Sequence, residues 1–387
     1  MILPKFQLSQ ICDITMGQAP KGSSYNDVNE GYPLIAGAGD FGIKTPKPKK
    51  HTVKPTRLSA NGDLILCIRA TIGDLNWSDN QYCLGRGVAG LRPISNKLDK
   101  NYLWYFLQFY KEELQKKGTG STFKQISRSH IEEIEVPLPP LEEQKRIAAI
   151  LDKADAVRRK RQQAIELCEQ LLRSVFLNMF GDPISNPKNW KKIKLGELCN
   201  IYRGGSPRPI QQYLGGTIPW IKIGDATKSD DIYLTSTKEK IIESGLSKTR
   251  LLQPGSLIFA NCGVSLGFAR ILKIEGCIHD GWLAFDIKDS QLNQLFLLKA
   301  LNQITKYFQG IAPDGTQPNL NTEIMKNFEL IIPPIELQNT FEDIVSRVSG
   351  IKQSLVNALD LANNSFNSLM DKAFKGELSK QLEKELA

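Results

Sequence analysis

Histidine is scarce in this chain. Only three occur in 387 residues, at positions 51, 130 and 279, which leaves little for a histidine-based metal centre. Cysteine is odd in number and scattered, at 12, 67, 83, 168, 199, 262 and 277, and no CxxC pair occurs. That argues against a zinc site or a disulfide framework and for reduced thiols in a cytoplasm. No stretch approaches 18 apolar residues, so no membrane-crossing helix and no membrane partner are expected. The opening MILPKFQLSQ has no charged segment followed by an apolar run, so no signal peptide is expected. A GxxxxGK[ST] phosphate loop is missing, and Gly37-Ala-Gly39 precedes no six-residue dinucleotide fingerprint. Asn186-Pro187-Lys188 lacks the second proline and the aromatic of an amino-methyltransferase motif, and reads as a turn. No nuclease-like cluster of carboxylates and lysine stands out. These absences point to a chain that is not an enzyme and holds no metal or cofactor.

What is present is an ordinary globular composition, 41% hydrophobic and 24% charged, with length for about two to three domains. Fifty Lys and Arg against 41 Asp and Glu give a formal charge of +9, a moderate excess that suits a polyanionic partner without demanding one.

The chain repeats itself. Lys5 to Gly17 (KFQLSQICDITMG) matches Lys192 to Gly204 (KIKLGELCNIYRG) at an offset of 187. Pro33-Leu-Ile35 matches Pro219-Trp-Ile221, and Gly62-Asp-Leu-Ile65 matches Gly255-Ser-Leu-Ile258 at 193. Tyr102-Leu-Trp104 lines up with Phe296-Leu-Leu298, and Val136 to Gln144 with Leu330 to Gln338, both at 194. An offset that grows by only a few residues is what loop insertions produce, so two copies of a domain-plus-connector unit are expected.

Each copy has two parts. The first, 1–139 and again 181–333, mixes short strands with one clear helix, an α+β pattern. Gly62 to Thr71 and Gly255 to Asn261 read as buried strands after a turn, and Asn101 to Lys117 and Leu292 to Phe308 as helices. The second part, 140–180 and again 334–387, follows Pro139-Pro140 or Pro333-Pro334. Proline suits a helix's first turn, and Glu142, Glu143 and Glu336 suit the positive end of its dipole. Residues 141–180 contain no glycine or proline up to the final residue. Their apolar seam runs Ile147, Ile150/Leu151, Ala154, Val157, Ile165, Cys168, Leu171 and Val175, with Arg161 at one seam position. The run 335–375 repeats it with Phe341, Ile344, Val348, Ile351, Leu355, Ala358, Ala362, Phe366, Leu369 and Ala373. Spacings of three and four alternate, as in a coiled coil. Two helices of roughly 60 Å, unstable singly, would each find its partner in the other copy. Leu171-Leu172…Val175-Phe176 aligns with Leu369-Met370…Ala373-Phe374 at 198, which predicts a second helix four residues longer than the first.

The positive excess sits on the two mixed parts. Residues 1–140 carry 18 basic and 13 acidic side chains and 181–334 carry 18 and 14, whereas 335–387 carries 6 and 8. A polyanion should therefore meet the mixed parts, leaving the second helix freer for protein.

This layout resembles the specificity subunits of Type I restriction-modification enzymes. The residues that carry the likeness are Pro139-Pro-Leu-Glu-Glu-Gln-Lys-Arg-Ile147 leading the first helix and Leu171 to Pro183 leaving it. Leu369 to Leu378 closes the second, and Gly120-Ser-Thr-Phe-Lys-Gln-Ile126 precedes the proline pair. The resemblance implies two target-recognition domains, at 1–139 and 181–333, each reading one half of a bipartite, asymmetric double-stranded DNA target. It implies an antiparallel coiled coil of spacer helices, at 140–180 and in the C-terminal helix and tail 334–387. Methyltransferase subunits, a pair of them, would dock on this frame, and a restriction and translocase subunit could join. S-adenosylmethionine and ATP would belong to those partners. A helical scaffold whose globular parts bind proteins is the alternative, and it predicts weak DNA binding with little salt dependence.

Candidate DNA contacts follow, each with a plainer alternative. Lys44 to Arg57 (KTPKPKKHTVKPTR) is basic, stiffened by prolines and free of acids; Lys44, Lys47, Lys49, Lys50 and Arg57 could neutralise phosphates or form a merely solvated loop. Thr122, Lys124 and Gln125, and in the second copy Gln317 and Asn319, occupy equivalent places with different polar tips. They could pair base edges, or cap a turn before a short helix. Arg69 and Arg86 lie among glycines beside buried strands; Asn261 and Arg270 lie in the matching region, with His279 and Trp282 more commonly structural. Arg203 and Arg208 sit in a Gly-rich loop and could hold phosphate. Arg158-Arg-Lys-Arg161 could touch DNA phosphates between the half-sites, but reads mainly as a solvated or partner-facing stripe, with Arg161 buried to set helix register.

Overall fold

A computed structural model describes residues 3–120, 124–227, 232–263, 265–312 and 319–378. The repeat becomes two α+β halves built the same way. In the first, Leu64–Cys67 (LILC) is apolar at every position and buried on both faces. It takes the middle of an antiparallel sheet ordered Cys12–Met16, Val88–Pro93, Leu64–Cys67 and Leu75–Trp77. In the second, Leu257–Ala260 (LIFA) is buried in the same way. It lies between Trp282–Ile287 and Ala269–Leu272, with Cys199–Arg203 outside the former. The registers agree: Ile14 faces Leu91 as Ile201 faces Phe285. Each half adds a smaller four-stranded sheet. One contains Tyr32–Ile35 and Lys50–Thr52, the other Leu214–Ile221 and Gly276–Ile278.

The helix expected over 101–117 is two pieces, Lys100–Phe109 and Lys111–Lys116, broken at Tyr110. Its counterpart is Gln294–Gln303 and Thr305–Ile311, broken at Ile304. Both break residues sit near ψ of zero, −1° and 20°, which tilts the following turn off the helix axis. The first piece of each pair is capped alike, by Asp99 and by Asn293, whose side chains accept two backbone N–H bonds.

The long helices are Leu141–Phe180 and Ile335–Phe374. Both have 40 residues, which corrects the expected four-residue difference. The true match at their ends is Phe180 with Phe374, at the same offset of 194 that relates their starts. In this register Leu171-Leu172 and Leu369-Met370 stand one turn apart.

By contacts the chain divides into two units: Met1–Gln163 with Val356–Ala387, and Ala164–Leu355. Each therefore holds one mixed part, the near half of one long helix and the far half of the other, running antiparallel. In the first unit Phe374 packs against Tyr102, Phe106 and Phe109, with centroids 5.2 to 5.4 Å apart. In the second Phe180 packs edge-on to Phe296 at 4.8 Å and to Phe341 at 5.3 Å. Polar pairs join the helices at repeat-related positions. Arg158 Nε donates to Asn363 Oδ1 at 2.8 Å in the first unit, and Lys352 meets Glu169 at 2.8 Å in the second. Positions 158 and 352, and 169 and 363, differ by 194 each. Arg161 donates to the carbonyl of Ala358, within the first unit.

The apolar seam is narrower than its spacing predicts. Val157, Leu171 and Ile351, expected within it, are 45%, 50% and 57% exposed. Two helices alone bury only a thin stripe of each other, so apolar positions flanking that stripe stay wet. Burial is concentrated where a helix also meets a mixed part, at Ile147, Leu151, Leu172, Phe176, Phe341, Phe366 and Phe374.

One buried residue welds each helix to its mixed part. Gln144 is 1% exposed; its Oε1 accepts from the Asp99 N–H, and its Nε2 donates to the carbonyls of Lys97 and Pro139, at 2.8 to 2.9 Å. Gln338, 0% exposed, does the same with Asn293, Gln291 and Pro333. The Pro-Pro-x-Glu-x-Gln pattern is thus a joint as well as a helix start.

Candidate nucleic-acid interface

Each half carries the same backbone frame at one rim of its sheets. The Ile68 N–H donates to the Gly87 carbonyl at 2.9 Å, and the Ile126 N–H to the Ile68 carbonyl at 3.0 Å. In the second half the Asn261 N–H donates to Gly281 at 3.0 Å, and Leu320 to Asn261 at 2.8 Å. Gly17 N–H reaches the Val88 carbonyl, and Gly204 N–H the Trp282 carbonyl. Glycine is required there: a Cβ on Gly17 would lie 2.1 Å from the Gly85 carbonyl oxygen, and one on Gly204 2.2 Å from that of His279. Three loops thus converge in both halves, and their tips bear different side chains. Arg69, Arg86 and Gln125 in the first correspond to Cys262, Asp280 and Asn319 in the second.

In the first half Arg69 and Arg86 line a cleft of about 770 Å³ together with Gly37, Gly39, Gly85 and Gly87. Both arginines are exposed. The carboxylates that share the cleft are occupied. Asp40 accepts from the Ala36 N–H at 2.8 Å, and Asp74 pairs with Lys111 at 2.6 Å. Ala70, next to Arg69, has φ of 44°, in the left-handed region that costs an alanine energy, and its counterpart in the second half is Gly263 at 75°. Gln125 bridges Arg69 through the backbone, and Lys124 and Gln125 are exposed. Thr122 lies outside the described residues.

The basic run borders this cleft. The Lys47 N–H donates to the Asp40 carbonyl at 2.7 Å, and the Gly42 backbone makes two bonds with the buried Asn76 side chain. Lys50 opens the strand Lys50–Thr52, and Thr56 donates to the Gln18 carbonyl. The run is therefore pinned at several points, with Lys44, Lys47, Lys49, Lys50 and Arg57 all exposed.

In the second half the cations come from another loop. Arg203 Nε donates to the Asp280 carbonyl at 3.0 Å, and Arg208 approaches Asp280 Oδ2 at 3.5 Å. Asp280 Oδ1 accepts from the Ser206 hydroxyl at 2.9 Å and lies 3.0 Å from His279 Nε2. His279 Nδ1 accepts from the Gly281 N–H at 2.9 Å, so the imidazole is the neutral Nε2–H tautomer. Burial pushes the His279 pKa below its usual value; Asp280 opposes that, while Lys222, Arg208 and Arg203 add to it. Burial works to raise the Asp280 carboxyl, but the Ser206 hydroxyl, His279, Arg203 and Arg208 outweigh it and hold the group below the usual range.

Asn261 is fully buried. Its amide donates to Asn319 Oδ1 at 3.0 Å and to the Leu320 carbonyl at 3.2 Å, so it holds the half-buried Asn319 in place from inside. Arg270 stands apart from the rim. It stacks over Phe268 at 4.7 Å and lines a separate recess with Glu169, Arg173 and Lys299. Gln317 lies outside the described residues. Trp282 is core, edge-on to Phe268. Sequence reasoning gave Ser206 and Asp280 no contact role. The available signal was the 194 offset, which sets Asp280 at the place of Arg86. Among the described residues, no group of three or more His, Cys, Asp or Glu is gathered to hold a metal. Nor is any helix long and apolar enough to cross a membrane.

The model for the Type I restriction modification DNA specificity domain matches the chain twice, at residues 4–167 and 187–360. A putative type I restriction enzyme specificity subunit, MjaX, of Methanocaldococcus jannaschii is 37% identical over 167 residues, 42% of this chain and 39% of that protein. The MjaIX specificity subunit of the same organism is 27% identical over 75% of this chain and 71% of its own length. The crystal structure of a Type I restriction-modification S subunit from M. genitalium superposes with a TM-score of 0.56 at 18% identity, covering 96% of both chains. That likeness shows the fold.

Proposed function

The chain belongs to the Type I restriction-modification DNA specificity family, and we propose that its two mixed parts, 1–139 and 181–333, each read one half of a bipartite, asymmetric duplex DNA target. The observation that carries this is the shared rim: one backbone frame presented twice, with Arg69, Arg86 and Gln125 on one copy and Cys262, Asp280 and Asn319 on the other. Equal frames meet the grooves in equal fashion, while unequal side chains read unequal bases. Lys44, Lys47, Lys49, Lys50 and Arg57 serve phosphates beside the first rim, and Lys124 and Gln125 the duplex at its edge. Arg203 and Arg208 serve phosphates at the second, and Asn319, steadied by Asn261, meets a base or phosphate there. Thr122 and Gln317, next to these residues in sequence, share that task. Arg270, set away from the rim, has the weakest claim among these residues.

The long helices, 140–180 and the stretch from 334, set the gap between half-sites and offer the surface on which a pair of methyltransferase subunits dock. A restriction and translocase subunit joins through them. S-adenosylmethionine and ATP act on those partners, and this chain does no chemistry itself. The assembly works in the cytoplasm, where the DNA is.

The deciding experiment exchanges block 1–139 for that of a relative and maps methylated bases in cells that also express the methyltransferase subunit. One half of the modified motif should change while the other half and the gap stay. An unchanged motif, or a change in both halves, refutes the assignment.

A further inference from the structure

We propose that the loop position shared by Arg86 and Asp280 is the point at which the two units demand opposite base edges: Arg86 a guanine, Asp280 an exocyclic amino group of cytosine or adenine. The inference rests on the two-reader function proposed above and names a determinant within it.

The two residues are structural equivalents. Each follows the strand Cys83–Leu84 or Gly276–Ile278 and precedes the glycine whose carbonyl receives Ile68 or Asn261. The backbone beneath them is tightly seated. A Cβ on Gly87 would lie 2.1 Å from the Ala36 carbonyl oxygen, and one on Gly281 2.8 Å from Ile223 Cδ1 and 3.1 Å from Cys262 Sγ. The tips therefore emerge from the same place with little freedom beneath them.

Their chemistry is opposite. A guanidinium can serve phosphate or pair the two acceptors of a guanine edge. A carboxylate on the same tip is repelled by every phosphate. What duplex DNA offers it in the major groove is an amino donor, cytosine N4 or adenine N6. Asp280 is built to keep one oxygen for that purpose. Oδ1 takes the Ser206 hydroxyl at 2.9 Å and has His279 Nε2 beside it at 3.0 Å. Among the described residues Oδ2 accepts only the long, 3.5 Å bond of Arg208, whose side chain is 80% exposed and can swing to a phosphate. Arg203, bonded to the Asp280 carbonyl, places a second cation beside the carboxylate, so the negative tip enters a field the arginines make tolerable. The depressed pKa keeps it ionised at neutral pH.

The test uses the full chain assembled with its methyltransferase subunits, base-resolution methylation maps, and competition among duplexes permuted one pair at a time. Asp280→Asn keeps the volume and an oxygen for Ser206 but presents an amide that both donates and accepts. One base pair of the second half-site should become degenerate, its preference falling from roughly tenfold to within about twofold. The other positions and the first half-site should hold. Arg86→Gln, an exposed substitution that leaves the fold intact, should relax one G·C pair in the first half-site and nothing in the second. The proposal is overturned if Asp280→Asn leaves the motif unchanged. It is also overturned if that variant weakens binding equally on all sequences, as the double variant Arg203→Ala, Arg208→Ala should; Asp280 would then merely position the two arginines. A wild-type motif that is not bipartite, or an Asp280→Asn variant that alters the first half-site, would remove the two-reader function itself and this determinant with it.

Discussion

Gln144 and Gln338 show how much a single buried amide can fix. Each ends the mixed part and begins the long helix in one stroke, by satisfying one N–H and two carbonyls, of which the proline carbonyl is fully buried. Replacement by alanine strands those groups, at about 1–3 kcal/mol for each that stays dry. Gln144→Ala should therefore lower the stability of the first unit by about 3 kcal/mol, read as the denaturant midpoint of a probe in that unit, and Gln338→Ala the second alike. Leu or Met at 144 should rescue little, because the loss is polar. At this scale the sequence was legible in placement: Arg69 and Arg86 stand exposed on one cleft beside Gly85 and Gly87. It was silent on Asn261, whose polarity suggested a surface tip but whose amide is used inside. It was equally silent on the Ser206–Asp280–His279 set, because those partners lie more than 70 residues apart in part and meet only through the sheet.

The long helices are the elements that sequence specified best. Their starts and their freedom from breakers follow from the proline pairs and the unbroken apolar spacing, while their antiparallel direction was what the family resemblance implied. What misled was the choice of anchor at the far end. Phe176 and Phe180 are both core aromatics, so the leucine-led motif can be slid by one turn without losing its apolar pattern. Only the ring each phenylalanine meets decides the register. The breaks at Tyr110 and Ile304 were invisible for a related reason: a tilt of one turn leaves the apolar period almost unchanged. The equal 40-residue lengths make a quantitative prediction. Removing four residues from the middle of each helix shortens the pair by about 6 Å and turns it by little more than one full rotation. At 3.4 Å per base pair the unread gap should contract by about two pairs with both half-sites preserved, as methylation mapping would report. Altered half-sites at a constant gap would contradict a spacer role.

For the whole molecule, the +9 charge and its concentration on the mixed parts make affinity a matter of salt. Binding of the assembled complex to its target should fall linearly in log K against log salt, and each phosphate contact removed should reduce the slope by about 0.9. Lys49→Ala together with Lys50→Ala should flatten the slope by up to about two while leaving the methylated motif unchanged. A slope insensitive to both substitutions would take the basic run out of the interface.

The first unit draws its core from both ends of the chain: Phe366, Met370 and Phe374 lie against residues between 98 and 151. During synthesis those early residues must wait for more than 200 others to be added, about 10–40 s at ordinary ribosomal rates. Throughout that interval Tyr102 and Phe106 lack the ring that covers them. A product stopped short of the last helix thus inherits a first domain with an open flank, so premature termination should yield a substrate for chaperones and proteases, not a half-competent reader loose on the genome.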